Sequence, residues 1–204
     1  MGLDQADIEG EADRLYRVAG LDSGTAAPII WLATELLGAG AVVPVHMLRE
    51  PGGACLVRVN GQARIYFRSR LPPMRRDFAI GHELAHWCLR DAEEGLELER
   101  ACDALAAALI APRAAFLKVV ARHGARFTRL AKAFATTESL AALRFGETTL
   151  EPLALVTPQS VRVRGAVYLW PSEAAIRGLA SNAKPGLRKA KLHDDPNRCA
   201  LRSG

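Results

Sequence analysis

The sequence predicts an α+β fold: a small antiparallel β-sheet packed on a central helix, a helical pair, and a short β-containing end. Two observations carry this reading. Three β-rich runs, 41–48, 54–60 and 63–69, lie close together, parted by Pro51-Gly52-Gly53 and by Asn60-Gly61. Asn-Gly between apolar runs is a strong hairpin signal, because both residues tolerate positive φ. On either side of these runs, apolar residues recur at helical spacing.

Taken in order, residues 4–19 read as a helix with Ile8, Ala12, Leu15, Tyr16 and Ala19 near one face, ended by Gly20. A second helix opens at Pro28, whose ring suits a first turn, and runs to Gly38. After the strands, 71–91 and 96–112 read as two long helices. In the second, Leu98, Cys102, Leu105 and Leu109 form one apolar face, and Pro112 stops or bends the helix. A helix over 113–122 follows, then two short ones around Ala135-Thr136-Thr137, with Thr137 or Thr136 as cap of the second. Runs 152–156 and 160–170 read as strands, followed after Pro171 by a short helix and an irregular basic tail. The expected organisation is a core over 1–125, a helix-turn-helix-like segment over 126–150 and a small basic appendage over 151–204.

The chain of 204 residues is long enough for a real core. Its longest apolar stretches are too short or too interrupted to span a bilayer. The acidic, amphipathic start lacks the basic and apolar regions of a secretory signal. These features point to the cytoplasm and away from a membrane partner. Cys55, Cys88, Cys102 and Cys199 are scattered and form no CxxC pair, so buried packing residues are expected rather than a disulfide framework. The net charge of +5 is uneven. From Val161 to Gly204 nine basic residues face three acidic ones, and the rest of the chain is about neutral. Such a tail suits a solvated surface, the favoured reading, or else nucleic acid or an acidic partner.

The chemistry concentrates in His82-Glu83-Leu84-Ala85-His86, an H-E-x-x-H motif. Residues four apart share a helix face, so both imidazoles reach one ion. Zinc in such a site lowers the pKa of a water to about 7, and Glu83 stands where a general base is needed. Phe78, Ile80, Leu84, Trp87 and Leu89 supply the helical pattern and an apolar surround. A third ligand must come from elsewhere. Histidine and glycine are missing from the positions a third-histidine subclass needs, which hold Leu89 and Ala92. Glu93, Glu94, Glu97 and Glu99 remain. Glu99 is favoured because Asp103 follows one helical turn later, placed to accept the free N–H of a ligand histidine.

FAIGHELAHWCL followed by ERACDALAAALIAP resembles the ImmA/IrrE family of metallo-endopeptidases. That family reads approximately RFTLAHELGH, a short gap, then E-x-x-A-N-x-F-A-A-x-L-L-x-P. Phe78, His82, Glu83, His86, Glu99, Ala106, Leu109 and Pro112 match. Asp77, Ala85, Cys102, Asp103 and Leu105 depart from it, and none of these removes a ligand or the base. With the preceding sheet, the likeness covers about residues 1–150. It implies a zincin-like active-site helix, one Zn2+ per chain held by His82, His86 and Glu99, and Glu83 as catalytic base. It also implies a protein substrate, typically a helix-turn-helix transcriptional repressor in a stress response or mobile element.

Residues 127–147 are similar to that family's helix-turn-helix-like segment, but the second helix carries mainly Ala, Leu and Phe. Arg144 is its one candidate for reading nucleic acid, so packing against the core is the favoured role of this pair. Tyr66, Arg68 and Arg70 are candidates for stabilising an oxyanion. His46, His123 and His193 receive no role. The sequence thus supports two main accounts, and a peptidase acting on small peptides or another amide stays open because a zinc site alone does not define the substrate. The first is a zinc endopeptidase cutting a regulatory protein. The second is a non-catalytic metal-binding regulator that uses the helix pair and basic tail to bind a repressor or DNA.

Overall fold

The computed structural model describes residues 5–90 and 95–149, together with five short strands between 153 and 203. Helix α1 (Gln5–Val18) buries Ile8, Ala12, Leu15 and Tyr16, the face its periodicity predicts. Tyr16 is wholly buried, yet its hydroxyl is satisfied: it donates to Leu109 O at 2.8 Å and accepts from Ala27 N–H at 3.1 Å. Burial pushes its pKa up to about 12. Helix α2 (Ile29–Leu37) follows Pro28 and ends at Gly38, whose φ of 99° suits a residue without a side chain.

Strands β1 (Val42–Val45), β2 (Ala54–Val59) and β3 (Gln62–Arg68) form a sheet in the order β1-β3-β2. The predicted hairpin is present. Val59 faces Gln62 across a two-residue turn, with Asn60 and Gly61 at φ 52° and 78°. The sheet is mixed rather than wholly antiparallel. Strand directions alternate along the chain, but β3 inserts between β2 and β1, so β1 pairs with β3 in parallel, Val42 beside Ile65. Burial explains the insertion: β3 carries Ile65 and Phe67, both buried, and takes the central position.

Beneath the sheet runs α3 (Pro73–Cys88), opened by prolines at its first turn. Ala79, Ile80, Gly81, Leu84 and Ala85 are its buried residues. Helix α4 (Leu96–Ile110) packs beside it and buries Cys102 and Leu105–Ile110. The contact is close because the seam is made of small residues. A Cβ placed on Gly81 would lie 3.3 Å from Ala106 Cβ. Helices α5 (Arg113–His123), α6 (Phe127–Ala133) and α7 (Glu138–Thr149) complete this part. Thr137 is the cap, its hydroxyl accepting from Leu140 N–H at 3.2 Å. Phe116, Leu130, Phe134 and Phe145 form a second apolar cluster there.

The C-terminal strands β4 (Leu153–Val156), β5 (Val161–Val163), β6 (Ala166–Tyr168), β7 (Leu187–Lys189) and β8 (Cys199–Ser203) pair antiparallel in the order β6-β5-β4-β8-β7. β4, β5 and β6 fall in the runs read as strands. β7 and β8 fall in the tail read as irregular, and β8 lies next to β4. The short helix expected after Pro171 lies outside the described residues. No single helix among the described residues is long and apolar enough to cross a membrane.

Candidate metal centre

Four residues separate His82 from His86 on α3, so their rings leave the helix on one face. The rings lie edge to face with centroids 4.8 Å apart. Their Nε2 atoms converge to 3.1 Å. From the first turn of α4, Glu99 reaches over both: Oε2 lies 3.3 Å from His82 Nε2, and Oε1 lies 3.3 Å from His86 Nε2. In a tetrahedral site with zinc-like bond lengths, neighbouring ligand atoms stand about 3.3 Å apart. The spacing and the donor set both suit a small tetrahedral cation. Glu99 is the carboxylate the sequence favoured, and the structure brings it to both histidines. Glu97 forms no part of this group. Glu93 and Glu94 lie outside the described residues.

Asp103 lies behind this triangle. Its Oδ1 is 3.0 Å from His82 Nδ1. With Nδ1–H donating to the carboxylate, the Nε2 lone pair is free and aimed at the cluster. The same bond, before the opposing effect of burial, raises the pKa of His82 above its ordinary value.

Glu83 points to the sheet side of α3. Its Oε2 accepts from Leu56 N–H on β2 at 2.8 Å. This bond fixes the carboxylate with a donor that no side chain supplies, so the sequence held no sign of it. The side chains of His82 and His86 are 19% and 25% exposed and that of Glu99 is 55% exposed, so the cluster opens to solvent on one side. A closed structural site would be shut off and would normally have four protein ligands.

Other candidates are placed elsewhere. Arg144 is fully buried, its guanidinium pairing with Glu9 at 2.6 Å and Glu147 at 2.9 Å and donating to Ala111 O. The weak candidate for reading nucleic acid is thus placed inside the fold, in keeping with the favoured packing role of this helix pair, and its charge joins α1, the end of α4 and α7. Arg68 donates to Leu48 O and Glu50 O and so anchors the loop before β2. Tyr66 alternates with buried Ile65 and Phe67, which turns it to the sheet face away from α3. Arg70 is exposed just beyond β3. His46 stands near Ser69, and His123 closes α5. His193 lies outside the described residues. Cys55, Cys88 and Cys102 are free thiols, and burial pushes Cys88 and Cys102 up to about 12, so both stay protonated at neutral pH.

A motif helix under a small sheet, with two histidines and a carboxylate from the next helix, defines a metallopeptidase-type domain. The chain belongs to the IrrE N-terminal-like domain family of M78 peptidases, whose family model matches residues 38–145. No curated protein gives a sequence match. Among solved structures, the chain is similar to a Mycobacterium tuberculosis transcriptional regulator at a TM-score of 0.66 and 15% identity, covering 96% of this chain and 86% of that one. At that identity the likeness is one of fold.

Proposed function

We propose that this protein is a zinc-dependent endopeptidase that cuts a peptide bond in a specific regulatory protein, a helix-turn-helix transcriptional repressor. The observation that carries the reading is the open triangle of His82, His86 and Glu99 with Glu83 fixed beside it. His82, His86 and Glu99 would hold one zinc ion. Bound zinc supplies Lewis acidity, which acidifies a water and polarises the scissile carbonyl. Asp103 holds the His82 ring in the tautomer that presents Nε2. Leu56 N–H occupies Oε2 of Glu83, which leaves Oε1 to take a proton from the attacking water. The same carboxyl then returns the proton to the departing amine.

The second account, a non-catalytic regulator, draws support from the likeness to a transcriptional regulator and from the basic tail. The burial of Arg144 weighs against direct DNA reading by α7. One experiment separates the two. Wild type and Glu83→Gln are expressed in the source organism, and new protein N-termini are mapped by mass spectrometry. The endopeptidase account predicts a small set of cuts, in a helix-turn-helix repressor, only with the wild type. Identical N-termini in both strains, with regulation intact, would favour the non-catalytic account.

A further inference from the structure

The segment from residue 41 to 76 carries seven arginines and a single acidic residue, Glu50. Two of the arginines are committed to the fold: Arg68 holds main-chain carbonyls and Arg76 pairs with Asp77 at 2.8 Å. Arg49, Arg58, Arg64, Arg70 and Arg75 are exposed, and among the described residues none of their side chains has an ion pair or hydrogen bond. Uncompensated positive charge on one sheet and its flanking turns creates a field that attracts anions.

Arg58 lies two residues along β2 from Leu56, which bonds Glu83. Leu56 is fixed over Glu83 by its N–H. Two residues along a strand advance about 6.7 Å, close to the roughly 6 Å of four residues along a helix. β2 runs the same way as α3, because the residues beyond its far end, Gly61–Arg64, line one cleft with Trp87. Arg58 therefore stands over the turn of α3 that carries His86 and Trp87. Arg58 pairs with Ala63 and so shares a sheet face with Leu56. β2 is also an edge strand, so nothing in the sheet covers that side.

We infer that the β2–β3 hairpin recognises an acidic stretch of the protein substrate, with Arg58 pairing with an Asp or Glu side chain near the scissile bond. The inference rests on the endopeptidase reading for its location. Charge complementarity names the partner. A polypeptide fits better than nucleic acid, because β2 is an edge strand whose unpaired main-chain groups can take an extended peptide beside Arg58, pairing that a phosphate chain cannot offer.

The test reads binding and not hydrolysis. The full chain is titrated, by fluorescence anisotropy at low salt, into a labelled peptide of alternating Glu and Ala, the same peptide with Gln for Glu, and a DNA duplex. The Glu peptide should bind more tightly than the Gln peptide. Arg58→Gln should cut that advantage by about two- to fivefold, as expected for an exposed ion pair. Arg58→Gln with Arg64→Gln should cut it further, Arg58→Lys should retain most of it, and Arg198→Gln in the tail should leave it intact. Equal binding of the two peptides would overturn the inference. So would an advantage that depends on Arg198 and ignores Arg58, or tighter binding of the duplex that Arg58→Gln abolishes. Absence of hydrolysis in any assay would count against the endopeptidase reading and leave this result standing.

Discussion

Asp103 Oδ1 lies 3.0 Å from His82 Nδ1, one helical turn beyond Glu99 on α4, and so links the carboxylate helix to the histidine helix. The bond decides which nitrogen of His82 faces the cluster, and a metal site depends on that choice. Asp103→Ala should weaken zinc affinity by about 10- to 100-fold while leaving the fold intact. Competition with a chromogenic chelator measures the affinity, and circular dichroism checks the fold. Unchanged affinity would mean that Asp103 has no part in orienting the ring.

The same pair makes the metal-free protein sensitive to pH. Asp103 holds the pKa of His82 above its usual 6.5. A raised value means that the folded state favours the protonated ring. The stabilisation is therefore complete below about 6.5 and is lost as pH rises through the folded-state pKa. Urea unfolding of the metal-free wild type and Asp103→Asn should differ more in acid than at alkaline pH. Equal differences at both would show that the bond does not depend on a protonated His82.

Close packing of α3 on α4 gives a third prediction. Gly81 has Ala106 Cβ 3.3 Å from where its own Cβ would stand. Gly81→Leu should push the helices apart, draw Glu99 away from the histidines and lose the metal. Overpacking of this kind costs about 1–3 kcal/mol. Gly81→Ala should keep the metal, since its contact needs only a few tenths of an ångström of adjustment. Metal content and thermal melting of the two variants check this, and full zinc retention by Gly81→Leu would contradict it.

Arg144 supplies a fourth. Replacing it with Ala would leave Glu9 and Glu147, at 12% and 7% exposure, without their shared cation, and Ala111 O without its donor. Loss of one member of a buried ion network costs about 3–5 kcal/mol. The urea midpoint of Arg144→Ala should fall accordingly. A loss within error of zero would show that the network adds nothing to stability.

The contrast between Glu99 and Arg144 shows what the sequence could and could not express. The i, i+4 spacing of His82 and His86, and the one-turn spacing of Glu99 and Asp103, are local, and each is realised in a single helix. Asn60-Gly61 likewise encodes its own hairpin, because turn geometry is fixed within two residues. The buried pairing of Arg144 was not legible because its main partner, Glu9, lies 135 residues away. The place of β1 beside β3 also follows from distant pairing, and Leu56 acts on Glu83 through a main-chain group that carries no residue identity. β7 and β8 are short, charged runs that gain strand geometry from β4 and their mutual pairing rather than from their own pattern.

Elemental analysis after dialysis against metal-free buffer reads whether His82, His86 and Glu99 hold one zinc ion. The purified wild type should retain about one zinc per chain, and Glu99→Ala should lose or loosen it. A wild type that retains no metal, or a Glu99→Ala variant that holds zinc as firmly as the wild type, would contradict the account.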